Sequence, residues 1–173
     1  MTPAELLKMM PYARPENAAS FAEPLTITMA EFVIDTPRSQ AAFLANIAHE
    51  SGSLHYVEEI ASGVAYEGRR DLGNTEPGDG KRFKGRALPQ ITGRDNYRAC
   101  GIALGMDLIA NPELLEQPLP AARAGGWFWK VKNLGPLADA EKFGSVCRLW
   151  NGGFNGLDDR IQHWLRIRKC LGL

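Results

Sequence analysis

TPRSQAAFLANIAHESG, residues 36–52, is the stretch on which the fold turns. Thr36 ahead of Pro37 is a helix start, a side-chain cap followed by a proline whose missing N–H costs nothing in the first turn. Phe43, Leu44, Ile47 and Ala48 then recur at the spacing of one apolar helix face, and Gly52 marks the stop. The end of this apolar helix carries His49 and Glu50, where the pattern calls for something apolar or small. Partial burial and the negative end of the helix both disfavour a charged carboxylate there, which is the environment of a proton donor. Two more glutamates, Glu58 and Glu59, follow after the Ser51-Gly52-Ser53 break, close enough for the chain to fold back and set one of them opposite Glu50. Paired carboxyl groups of that kind are what glycoside hydrolysis needs, one to protonate the leaving oxygen and one to activate water or attack the sugar.

Working outward, helix signals dominate. Thr2-Pro3-Ala4-Glu5 is a capping box, and Thr28 with Glu31 repeats that pattern ahead of Phe32 and Val33. Helical patterns recur in DNYRACGIALG, AARAGGWFWKVKNL, DAEKFGSVCRLW and GLDDRIQHWLRIRKCLG, the last bounded by Gly156 and Gly172. Between Ser62 and Thr92 the periodicity lapses into a segment rich in Gly, Asp and Pro, with room for a small β-hairpin; irregular stretches of that length inside a domain are usually functional. The fold class expected is therefore mainly α, a single domain over residues 1–173 with a long irregular segment in its middle. The aromatics Trp127 to Trp129, Trp150 and Trp164 read as core or as sugar-stacking platforms, and Asn151 before two glycines as a turn that can approach a ligand closely.

Composition excludes other classes. Lys plus Arg and Asp plus Glu are both 20 among 173 residues, so there is no basic excess for phosphate backbones, and nucleic acid is not expected as a partner. GDGKRFKGR lacks the order of a phosphate-binding loop. No run is long and apolar enough to span a bilayer, and MTPAELLKMM has no basic and apolar leader pattern, so neither membrane insertion nor export is expected. Cys100, Cys147 and Cys170 have no metal-ligand spacing and read as free buried thiols, a Cys147–Cys170 bridge being the alternative. No cofactor or metal is expected, and the chain is expected to act as a monomer.

Four motifs occur in order: AAFLANIAHESG (41–52), YEGRRDLGN (66–74), KGRALPQITGRDNY (84–97) and WNGGFNG (150–156). Together they resemble the family 19 glycoside hydrolases of the chitinase-like lysozyme superfamily, and in particular the single-domain endolysins of bacteriophages, from Thr28 to Gly172. The resemblance implies a lysozyme-like fold and inverting cleavage of a β-1,4 glycan. It makes Glu50 the general acid and places the second acid in VEEI, with Glu59 the better match and Glu58 still open. Gln90 and Thr92 match the family motif's Gln and hydroxyl residue, of which the hydroxyl helps hold the attacking water, while His49 matches the helix-end histidine beside the acid. Asn96, Tyr97, Asn151 and Arg160 match substrate contacts.

For an endolysin the substrate is bacterial peptidoglycan, the partner its glycan strands, and the location the host cytoplasm until release to the wall. Chitin hydrolysis, lytic transglycosylase chemistry and non-catalytic glycan binding are the rival readings. One position departs from the family: Ala87 stands where a glycine is usual, and a left-handed backbone there would cost about 1 kcal/mol with alanine.

Overall fold

The computed structural model describes residues 1–173 and is mainly helical. Nine α-helices follow in order: α1 Pro3–Met9, α2 Pro15–Glu31, α3 Pro37–Glu50, α4 Asp79–Arg82, α5 Arg94–Leu104, α6 Pro118–Val131, α7 Gly135–Asp139, α8 Phe143–Asn151 and α9 Leu157–Cys170. There is no sheet. The hairpin anticipated in the middle segment is reduced to two isolated antiparallel bridges, Glu58 with Arg86 and Arg86 with Ile91.

The decisive helix forms as its sequence implies. The Thr36 hydroxyl accepts from the Ser39 N–H at 3.0 Å, and Gly52 follows in the left-handed region at φ 56°. Every residue from Ala41 to Ala48 is buried, so α3 is surrounded rather than laid on a surface. It packs chiefly against α9, with α6, α7 and α8 on other sides, and Phe43 meets Trp129 edge-on at 5.7 Å between ring centres. One cluster of 38 buried residues runs through the whole chain.

Three expectations are corrected. Thr28 and Glu31 do not cap a helix, because both lie in the last turn of α2, with Thr28 fully buried. Ala18, Phe21, Ala22, Leu25 and Met29 hold that helix together from Pro15 onward through an apolar face of helical period. The pattern DAEKFGSVCRLW is split between α7 and α8, with a turn at Glu141, φ 58°, between them. All three cysteines are free; Cys100 and Cys147 are buried as expected, but Cys170, in the last turn of α9, is exposed.

Candidate active site

Glu50 ends α3, and its orientation is set from behind. Arg160 on α9 is 1% exposed; its guanidinium donates to Glu50 Oε1 and, at 2.7 Å, to Oδ1 of Asn46, one helical turn earlier. A buried guanidinium left without acceptors for its N–H groups would be costly, so these contacts with Asn46 and Glu50 tie the end of α3 to α9. The surroundings of Glu50 are therefore not the apolar ones expected from the helix pattern, and Arg160, expected as a substrate contact, lies behind the acid instead. His49 also faces α9. Its Nδ1 is 2.6 Å from Asp159 Oδ2, and its ring closes on Gly156, where an added Cβ would come within 2.3 Å. Burial pushes the Asp159 carboxyl up, but the His49 hydrogen bond and the charges of His163, His49 and Arg160 outweigh it and hold it below the usual carboxylate range. His49 thus locks the joint beside Glu50.

The opposite wall is built by pairing residues 58–59 with 85–86. The Glu59 N–H donates to the Gly85 carbonyl at 2.9 Å, and successive side chains of this extended stretch point to opposite sides. Glu58 goes to Lys84 at 2.9 Å and Arg86 at 3.3 Å. Glu59 turns the other way, where Oε2 accepts from the Tyr66 hydroxyl at 3.0 Å and the buried Oε1 meets no protein donor. A Cβ added at Gly85 would lie 2.6 Å from Gln90 Oε1, 2.8 Å from Glu59 Oε2 and 3.3 Å from Thr92 Oγ1. Three polar side chains therefore converge on a residue that must have none.

Gln90 and Thr92 are delivered by a tight loop in which Arg86 and Ile91 exchange both backbone hydrogen bonds, at 3.0 and 2.7 Å. Ala87, at φ 66°, and Gln90, at φ 57°, both adopt the left-handed conformation that favours glycine, so the departure from the family falls where alanine is strained. Asn96 donates to the Thr92 carbonyl at 2.8 Å and supports the same loop.

Between the walls lie two adjoining cavities that share Glu50 and Gln90. One, of about 280 Å³, is lined by Thr92, Asn96, Trp127, Phe128, Trp150 and Asn151; the other, of about 370 Å³, by Glu59, Glu58, Tyr56 and Ile60. Three carboxylates, of which Glu58 is already paired with Lys84 and Arg86, a polar cluster and an aromatic floor thus open on one cleft, the equipment for acid–base cleavage of a sugar chain. No three His, Cys, Asp or Glu side chains cluster to hold a metal ion. A groove of about 450 Å³ between α1, α2, α3 and the end of α9 is larger, but methionine and aliphatic side chains dominate it.

Of the residues singled out in the sequence, the cleft brings together Glu50, Glu58, Glu59, Gln90, Thr92, Asn96 and Asn151. Tyr97 is not among them: it is fully buried, donates to the Lys84 carbonyl at 2.6 Å and accepts from Arg86 at 3.1 Å, so it holds the loop rather than a substrate. The aromatics divide, with Trp129 in the core and Trp164 stacked on Phe143, while Trp127 and Trp150 line the cleft. Tyr66 was missed as a site residue, although it opens the second motif.

Comparison with known proteins bears on this cleft. The family described as class I chitinase, glycoside hydrolase family 19, matches residues 26–145. An endochitinase of Arabidopsis thaliana is 38% identical over 143 residues, covering 79% of this chain and 49% of that one, so this chain spans about half its length. A family 19 domain-containing protein of Haemophilus influenzae is 33% identical, over 71% of this chain and 75% of that one. Among solved structures, chitinase C from Streptomyces griseus superposes with a TM-score of 0.81 at 28% identity, covering 99% of this chain and 76% of that one.

Proposed function

The chain belongs to glycoside hydrolase family 19, and on that premise we propose that it hydrolyses, with inversion, the β-1,4 bonds of bacterial peptidoglycan in the role of a phage endolysin. The observation that carries the chemistry is the convergence of Glu59, Gln90 and Thr92 around Gly85 on the cleft that Glu50 also lines. In this reading Glu50 gives its proton to the glycosidic oxygen, and Arg160 fixes where its carboxyl points. A water on the far side of the sugar is held by Thr92 and Gln90 and loses its proton to Glu59 as it attacks C1, so that inversion follows from attack opposite the leaving group. The floor formed by Trp127, Phe128 and Trp150 supplies apolar area for the sugar ring.

The choice of peptidoglycan, and the passage from host cytoplasm to cell wall that goes with it, rests on the order and spelling of the four motifs; the bacterial relative is compatible with it. Hydrolysis of chitin is the second reading, favoured by the plant and Streptomyces relatives, which are chitinases. Digestion of purified peptidoglycan and of chitin oligomers, with mass analysis of the product ends, separates the two. New reducing ends from peptidoglycan support the proposal, and cleavage of chitin alone replaces its substrate. A 1,6-anhydro end would replace hydrolysis by transglycosylation, and binding without cleavage would leave a glycan-binding protein.

A further inference from the structure

The motif YEGRRDLGN supplies no residue to the mechanism above, yet its contacts lead to one atom. Asn74, fully buried, donates to the Tyr66 carbonyl at 2.9 Å, while its Oδ1 accepts from the Arg94 N–H at 2.8 Å, joining this segment to the start of α5. Glu67, next to the tyrosine, accepts from the N–H groups of Gly78 and Gly80 at 2.7 and 2.9 Å. Gly80 approaches so closely that an added Cβ would lie 2.5 Å from the Glu67 nitrogen. Tyr66 is thus held on both sides of its backbone, with its hydroxyl on Glu59 Oε2.

We propose that Tyr66 is a positioning residue for the catalytic base: by donating to Oε2, the Glu59 oxygen that also faces Gln90 and Thr92 across Gly85, it fixes the rotation of the carboxylate and aims the remaining lone pair of that oxygen at the water. This rests on the reading of Glu59 as base. Burial and the Glu59 hydrogen bond both push the Tyr66 phenol up, so the group stays a donor through the neutral range. Neutral phenol is what the role requires, because a phenolate could not donate. A misplacement of the base by a fraction of an ångström is enough to slow attack substantially.

Steady-state kinetics of Tyr66→Phe, Glu59→Gln and the double variant test this on the glycan that the wild type cleaves. Tyr66→Phe is expected to lower kcat by roughly tenfold or more with KM within about twofold, and the double variant to be no slower than Glu59→Gln alone. Tyr66→Phe with more than about half of wild-type kcat, or a loss carried by KM, overturns the proposal while an inactive Glu59→Gln leaves the base assignment standing. An active Glu59→Gln removes the base assignment and the proposal with it. If Tyr66→Phe proves poorly folded, the alkaline titration of Tyr66 decides: it should move to lower pH in Glu59→Gln, and an unmoved titration overturns the proposal.

Discussion

At the residue scale, one peptide bond separates Glu58, neutralised by Lys84 and Arg86, from Glu59, whose Oε1 meets no donor. Glu59→Gln is therefore expected to lower turnover by ~10² to 10⁴, the range of a general base, with little change in KM. Glu58→Gln should stay within about threefold of wild type, since Arg86 keeps Glu116 at 2.7 Å. Thr92→Ala should act more mildly than Glu59→Gln, and the two changes combined should fall short of multiplicative because both act through one water. Fully multiplicative losses in the same assay would refute a shared water. Glu50→Gln keeps an oxygen for Arg160 but has no proton to give, so turnover of the glycan that the wild type cleaves should fall below about a tenth while the far-UV circular dichroism keeps its helical form. The family resemblance marked VEEI as the place of the second acid and favoured Glu59, yet left Glu58 open. The choice depends on pairing with Gly85 and Arg86, a contact too distant along the chain for local pattern to register.

At the element scale, α3 was readable because its cap, its apolar face and its stop all agree. Leu44 is 1% exposed, and Leu44→Ala should cost ~2 to 5 kcal/mol, read from the denaturant midpoint. A midpoint that does not move would mean that the buried face is wrong. The glycine pair in α6 teaches the opposite lesson. In a helix interior each glycine costs about 1 kcal/mol against alanine, so propensity alone recommends Gly126→Ala. An added Cβ at Gly126, however, would lie 2.3 Å from the Phe32 ring and 2.6 Å from the Thr28 methyl, where α6 crosses the end of α2. Overpacking of that kind typically costs 1 to 3 kcal/mol, so the variant should melt several degrees below the wild type. Gly125 makes the neighbouring approach to α3, where an added Cβ would lie 3.1 Å from the Ile47 side chain. Small residues here set how closely α6 can pack on its neighbours.

At the scale of the whole molecule, the joint between α3 and α9 couples stability to pH. Burial holds the His163 imidazole below its ordinary value of 6.5, against Asp159, with Arg166 and His49 adding to the depression. A histidine with a depressed folded value binds fewer protons folded than unfolded, so its contribution is intact above about pH 6.5 and is lost as pH falls through the folded value. The melting temperature should accordingly fall as pH is lowered below about 6.5, and His163→Gln should flatten that fall; an unchanged slope would remove His163 as its source. By itself the sequence determined the helical class, the helix ending in Glu50, the irregular middle and the loop carrying Gln90 and Thr92, because each is written in contiguous residues as caps, periodicity, glycine stops and ordered motifs. Only the tertiary structure decided that Glu58 pairs with Lys84 and Arg86 while Glu59 turns to Tyr66, Gln90 and Thr92, and that Arg160 and Tyr97 stand behind the cleft. Those assignments depend on which distant charge or hydroxyl meets a side chain once α9 and residues 66–97 close on α3, and no local pattern encodes that meeting.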